Sequence, residues 1–327
     1  MPAPVAPRHI PVLGHVFALG RDPIGFLRNS RAYGDLVTFY LGTRPVHLVN
    51  SPDLIRKVLV TEARNFRRGK IFTKARELFG DGLATADDPV HMRQRRVMQP
   101  SFHRDRIAGY VDVMRGQITE MCGSWASGVR IAADRQMVAL TLQVAAKSLF
   151  RADLGAEAVA EVCRSLSPVL NGLTRRTMMP VELLERIPTP ANRRFDHALH
   201  RMVTVVESVI AAYRREGVDH GDLLSMMVAQ MPDDAEVRAQ VLNVLMAGTE
   251  TTATTLAWVW YELARNPVVR QRVFDEITEV LNGRPVGTDD IAEFAYLGRV
   301  LVETLRLHTP VWLLTRQAVS AVRLGGV

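Results

Sequence analysis

Apolar residues recur at three- and four-residue intervals through most of this chain, and at two-residue intervals only near its start. After a proline-rich entry from Met1 to His15, the stretches Leu36–Leu41 and Val46–Asn50 alternate like two strands around Gly42-Thr43, which predicts a hairpin. Ser51-Pro52-Asp53 then predicts a helix through Val60, with Ser51 as N-cap and Pro52 at the first helical position. Helical periodicity follows over Arg106–Trp125, Arg135–Phe150, Gly155–Asn171 and Ala191–Arg214, and the three prolines between Met178 and Pro190 mark a loop. Asp233–Ala264 predicts a long central helix, followed by helices over Pro267–Leu281 and, after the turn Asn282-Gly283-Arg284-Pro285, over Ile291–Leu307. No repeat of solenoid period is present. The pattern predicts a mainly α globule with a small N-terminal β-element.

The central helix breaks its own pattern. Ala247-Gly248-Thr249-Glu250-Thr251-Thr252 interrupts the apolar run from Val241 to Ala264, and five of the seven residues from Thr249 to Thr255 are threonine. Threonine hydroxyls in a helix bond back to carbonyls one turn earlier and bend it. An ionised Glu250 away from water is costly unless it is paired, hydrogen-bonded or neutralised by a raised pKa. A bilayer would penalise this patch heavily, so the segment reads as a buried helix of a soluble protein. Two readings stand at this point: a kinked core helix with locally satisfied hydroxyls, or a polar patch kept for chemistry.

With 327 residues, 47% of them apolar, the chain can bury a large core. Its net charge of +7 suits an acidic partner or surface, and suits plain solvated surface equally well. The basic residues are scattered, without aromatic interleaving or zinc-finger spacing, so no nucleic-acid partner is expected. Cys122 and Cys163 read as buried free thiols in a reducing compartment. No apolar run near the N-terminus suggests a signal peptide or membrane anchor, and a cytoplasmic protein is expected. Gly-x-Ser-x-Gly and His-Glu-x-x-His are both missing, which argues against hydrolase chemistry.

Three pieces can carry chemistry. His91 and Arg95, at i and i+4, project from one helical face ahead of Pro100-Ser101-Phe102. Alone the pair is a solvated basic face, and His197 with Arg201 repeats its spacing. Glu303 and Arg306 form an i, i+3 pair whose spacing recurs at Glu161 with Arg164 and at Glu262 with Arg265. The third piece is the threonine-rich helix.

Taken in order, His91, Arg95 and Pro100, then Ala247-Gly248-x-Glu250-Thr251-Thr252 running on to Asn266-Pro267, then Glu303-x-x-Arg306, then Arg316, resemble the cytochrome P-450 family of haem-thiolate monooxygenases. The resemblance runs from Ile10-Pro11-Val12-Leu13-Gly14-His15 to the last residue. Residues His91–Phe102, Arg175–Leu199 and Pro310–Val319 are most similar to soluble bacterial members that oxidise terpenes. It implies that His91 and Arg95 hold a haem propionate, that Arg316 serves the second propionate, and that Ala247 and Gly248 let the helix pass close over the haem face. Thr251, rather than Thr252, and Glu250 would deliver protons to dioxygen, a hydroxyl in a helix bulge holding a water. Glu303 and Arg306 would be a structural ion pair.

The resemblance further implies a single domain over 1–327, electrons from NAD(P)H through a ferredoxin-type donor, and docking of that donor on the helix bearing Arg93, Arg95 and Arg96. The pocket would be lined by residues from Ile71–Thr85 and Leu170–Leu173, with few charges, for a small hydrophobic substrate: a terpenoid first, a fatty acid or polyketide next. One departure matters. The family's proximal cysteine lies in a glycine-rich loop downstream of the Glu-x-x-Arg helix, and this sequence reaches Val327 without it. Neither Cys122 nor Cys163 has the required surroundings, and the thiolate drives O–O cleavage. The residues Val322–Val327 look like a β-turn cut before its second strand. The expectation is therefore a truncated P-450, active only in its complete form. The alternatives are a shortened, inactive relative that binds hydrophobic ligands and a helical interaction protein.

Overall fold

A computed structural model describes residues 3–150, 155–178, 185 and 187–326. In chain order its elements are α1 (Val16–Arg21), α2 (Pro23–Ser30), β1 (Leu36–Leu41), β2 (Arg44–Val49), α3 (Pro52–Arg56), β3 (Phe66–Arg68), α4 (Lys70–Phe79) and α5 (Val90–Met98). There follow α6 (Arg104–Gly123), α7 (Ala133–Phe150), α8 (Gly155–Met178), α9 (Pro190–Glu216), α10 (Leu223–Gln230), α11 (Asp234–Arg265), α12 (Pro267–Leu281), α13 (Ala295–Leu307) and β4 (Arg316–Ala318). The expected mainly α architecture is what forms. The chain divides into two compact units: Met1–Glu77 with Pro168–Asp196 and Leu314–Val327, and Leu78–Ser167 with His197–Leu313.

In the first unit β1 and β2 pair antiparallel from Leu36 opposite Val49 to Leu41 opposite Arg44, around Gly42 at φ 65°. Residues Ala6, Leu19, Val37 and Phe39 are buried together, with Phe26 and Leu27 of α2 packed against them. A second strand pair, β3 with β4, joins positions 250 residues apart, Arg67 opposite Gln317. Local alternation cannot announce three-residue strands of this kind, which explains why the hairpin was foreseen and this pair was not. Ser51 does stand at the N-cap of α3, yet its hydroxyl makes no capping bond, and the helix passes into a π-helical turn over Lys57–Thr61.

Helix α8 runs past Pro168 to Met178 rather than ending at Asn171. The proline costs roughly 3 kcal/mol inside a helix, but Val169 and Leu173 are buried on its far side, and amphipathic packing sustains the element. Of the loop expected at 178–190, residues 179–184 and 186 lie outside the described residues.

The second unit is organised by α11. Asp233 caps it, accepting from the Ala235 amide at 2.9 Å. Met137 and Leu140 of α7 are buried with Ala253 of α11, flanked by Met121, Val144, Leu256 and Ala257. Farther along, Val259 and Leu263 meet Val273 of α12, with Tyr296, Leu297 and Val300 of α13 against them. At that corner the Glu276 carboxylate accepts from the Tyr296 and Leu297 amides at 2.6 and 2.8 Å, which holds its pKa below the ordinary value. His308 stacks on Trp258, with ring centroids 3.8 Å apart, and bonds the Glu262 carboxylate at 2.7 Å.

The N-terminal part of α11 carries two amide side chains among apolar neighbours, and they bind a loop. Gln240 Oε1 accepts from the Leu83 amide at 2.9 Å, and Asn243 Oδ1 accepts from the Ala84 amide at 3.2 Å. Gln94 Nε2 of α5 donates to the Asp81 carbonyl at 2.7 Å. The chain can approach so closely only because residue 82 is glycine. A Cβ there would lie 2.2 Å from Asn243 Nδ2 and 2.7 Å from the Ala239 carbonyl oxygen. Gly82→Ala is therefore expected to destabilise the chain by about 1–3 kcal/mol through overpacking, read as a lowered denaturant midpoint. An unchanged midpoint would show that the loop relaxes away from α11 freely.

Candidate functional site

Helix α11 is unbroken through the threonine cluster, from Asp234 to Arg265, so no bulge or break accompanies the hydroxyls. Two of them do bond backwards: Thr251 Oγ1 donates to the Ala247 carbonyl at 2.7 Å and Thr255 Oγ1 to the Thr251 carbonyl at 2.8 Å. Bonding of this kind satisfies the hydroxyls without opening the helix. Thr249 points the other way. It is fully buried, its hydroxyl has no partner, and its carbonyl accepts from Thr141 Oγ1 of α7 at 3.2 Å.

The middle of α11 is exposed on one side. Ala247, Gly248 and Thr252 are exposed and Thr251 is half-buried, while Leu245, Thr249 and Ala253 are buried. A Cβ built at Gly248 meets nothing within 4 Å. The small residues thus leave a flat, open strip on an otherwise core-forming helix. Glu250 is half-buried beside it, with no hydrogen bond or ion pair among the described residues, and burial pushes its pKa up.

The other predicted residues fall as follows. Arg95, on α5, is exposed and has no hydrogen bond or ion pair, and His91 Nδ1 lies 3.3 Å from Asp88 Oδ1. No bond among the described residues links either to Ala247, Gly248, Glu250 or Thr251. Arg93, expected on a docking face, is instead paired with Glu236 of α11 at 2.5 Å. Glu303 and Arg306 form a bidentate pair, with both bonds 2.7 Å, on the exposed side of α13. Solvent screens such a pair, so its direct contribution to stability is small. The same spacing at Glu161 and Arg164 also closes, and Arg201 joins it. The Arg164 bond holds the Glu161 carboxyl down to about 2. Glu262 and Arg265 do not pair: Glu262 takes His308, and Arg265 donates to the Tyr261 hydroxyl.

Arg316 belongs to the first unit, exposed on β4, its guanidinium donating to the Thr315 carbonyl. In the same unit Lys74 is one of the few charges over Ile71–Thr85. Its ammonium is buried between Glu77 at 3.0 Å and Glu185 at 3.3 Å. Burial alone would lower its pKa, but the two carboxylates raise it. Cys122 is exposed rather than buried. Cys163 is half-buried, and burial pushes its thiol up.

The residues that sequence reasoning missed are the amides. Gln94 and Gln240 are fully buried, and Asn243 nearly so. Their signal was present: polar amides at 240 and 243, one turn apart, among the buried Val237, Ala239, Val241, Leu242 and Leu245.

These observations bear on the haem that the resemblance implies. A planar group with two carboxylates needs cations free to pair and a helix face without side chains in the way. Arg95 supplies an unpaired guanidinium, and the Ala247–Gly248 strip supplies the face. An axial thiolate is a separate requirement. Cys122 lies on α6 and Cys163 on α8, with its thiol kept protonated, and neither adjoins these residues in sequence. No group of three or more His, Cys, Asp or Glu arranged for a metal occurs among the described residues.

Glu250 gives a pH-dependent outcome. Its folded pKa lies above the ordinary carboxylate value, so the folded chain binds the extra proton more tightly than the unfolded one. Stability from this group is full below the unfolded pKa and is lost as pH rises through the folded one. Glu250→Gln is therefore expected to raise the melting temperature at neutral pH and leave it unchanged at acid pH. Melting curves across that range check it, and a uniform shift at every pH would contradict it.

A family model for cytochrome P-450 matches residues 4–327. Cyclooctatin synthase of Streptomyces melanosporofaciens is 40% identical over 330 residues, 98% of this chain and 72% of that protein. Cyclooctat-9-en-7-ol 5-monooxygenase of the same organism is 40% identical over 328 residues, 98% of this chain and 71% of that protein. Pentalenene oxygenase of Streptomyces avermitilis is 36% identical over 332 residues, 99% of this chain and 74% of that protein. With the open strip of α11, the cations of α5 and the Glu303–Arg306 pair in the family's order, this similarity along nearly the whole chain shows that the protein belongs to the cytochrome P-450 family.

Proposed function

We propose that this protein is a haem-dependent monooxygenase that inserts one oxygen atom from dioxygen into a small hydrophobic substrate, a terpenoid. The observation that carries the reading is the exposed Ala247–Gly248 strip of α11 with Thr251 and the unpaired Glu250 beside it. The names of the relatives, which include a cyclooctat-9-en-7-ol 5-monooxygenase and a pentalenene oxygenase, support the substrate class. A single family model over both compact units supports one domain.

Haem, when bound, supplies the iron chemistry that activates dioxygen. Arg95 and His91 would hold one of its carboxylates through charge-assisted bonds. Thr251 already gives its proton to the Ala247 carbonyl, so its oxygen is free to accept from a water on the open face. Glu250 keeps its proton to higher pH than an ordinary carboxyl, because burial disfavours its charge. It can pass that proton to the water and take another from solvent on its exposed side. Electrons come from NAD(P)H through a ferredoxin-type protein. With Arg93 tied to Glu236 and Arg95 assigned to the cofactor, Arg96 is the exposed cation left for docking on α5. We place the protein in the cytoplasm.

A second reading is favoured by one observation, that Cys122 is exposed on α6 while burial pushes the Cys163 thiol up, away from the thiolate an axial ligand needs. Under it the 327 residues bind a hydrophobic ligand without oxygen chemistry. The protein isolated from its own source separates the two. Thiolate-ligated haem that turns over with a reductase system supports the enzyme, and terpenoid binding without such haem supports the binding protein.

Two outcomes are expected in a form that carries the thiolate. Thr251→Ala should separate dioxygen consumption from product formation by roughly ten-fold or more, in line with loss of the oxygen that positions the proton-carrying water. Product per dioxygen consumed is the quantity to measure, and unchanged coupling would sink the assignment. Arg95→Ala should lower haem retention, read as the haem-to-protein ratio after gel filtration. Full occupancy would remove Arg95 from the propionate site.

A further inference from the structure

Four apolar side chains between residues 12 and 24 project outward, Val12, Leu13, Phe17 and Ile24. Ile10 and Gly14 exchange two backbone hydrogen bonds, of 3.0 and 2.7 Å, and close a tight loop. At its tip Val12 sits at φ 67° and is 75% exposed. A β-branched residue in the left-handed region is a strained outlier, so the backbone bears a cost that presents an aliphatic side chain to solvent. Leu13 beside it is also exposed.

The next two helices repeat one pattern. On α1, Phe17 is 65% exposed and Arg21 stands one turn later, and on α2, Ile24 is 56% exposed and Arg28 stands one turn later. Each pair shares the outward side of its helix, while Leu19 and Gly25 are buried. Among the described residues neither Arg21 nor Arg28 has a side-chain hydrogen bond or ion-pair partner, and Arg8 has none either. Residues 1–34 contain four arginines and one acid, Asp22, whose carboxylate is occupied by the Gly25 amide.

We propose that this face, Val12, Leu13, Phe17 and Ile24 with Arg8, Arg21 and Arg28, docks the protein onto an anionic lipid surface. Apolar side chains that project singly, each with a guanidinium one turn away, fit an interface where the chains enter the acyl boundary and the cations meet headgroup phosphates. The protein lies on the surface and does not cross it, since no helix among the described residues is long and apolar enough to span a membrane. The proposal is independent of the reaction the protein performs.

Sedimentation of the purified chain with vesicles tests it. Binding is expected to mixed phosphatidylcholine and phosphatidylglycerol vesicles, to be weak on phosphatidylcholine alone, and to fall as salt rises. Arg21→Gln with Arg28→Gln should weaken binding to the anionic vesicles roughly thirtyfold, at the usual contribution of a basic residue near such a surface. Val12→Gly should relieve the strained backbone, keep or raise the melting temperature, and still weaken vesicle binding. Val268→Ser, at a valine 74% exposed on α12, should leave binding unchanged. The proposal is overturned by three results: no preference for anionic vesicles, an equal loss in Val268→Ser, or patch variants that alter only self-association without lipid.

Discussion

Three buried amide side chains hold the second unit in register. Gln240 and Asn243 receive the backbone of residues 83 and 84, and Gln94 receives the carbonyl of Asp81 while also donating to Glu236. A loop backbone packed against a helix needs its inward polar groups satisfied, and these amides satisfy this one with side chains from two helices. The position of α5, and so of His91 and Arg95, follows from this network. So does the Arg93–Glu236 pair, which takes one expected surface cation out of circulation.

Much of the fold could be read from periodicity because its long helices are amphipathic. Pro267–Leu281 was foreseen to the residue, and α11 to within one at either end. The short helices α1 and α2 were missed because six or eight residues carry too little period to register, and β3–β4 because its partners are far apart in sequence. Of the candidate site, residue types and order were legible, and their surroundings were not. Nothing in Glu-x-x-Arg spacing distinguishes Glu303, which closes on its arginine, from Glu262, which turns to a histidine. That choice is made by whichever partner the tertiary fold brings nearer.

The threonine cluster shows how the same residue type divides its work by angle around a helix. Thr249 faces inward and lends its carbonyl to α7, while Thr251 and Thr255 face outward and bond to their own helix. Helical geometry places successive residues about 100° apart, so one run of threonines faces both the core and the open strip. Glu250 between them is half-buried and unpaired, a position that raises its pKa without any neighbouring acid.

The Glu276 carboxylate carries a consequence for how the chain comes apart. It occupies the second and third amides of α13, where Phe294 at the N-cap offers no side-chain acceptor. A helix whose opening turn is held by a neighbour's side chain cannot fray alone from that end. Helices α12 and α13 therefore make one cooperative opening unit, and the amides of Tyr296 and Leu297 exchange with solvent only when both helices release together.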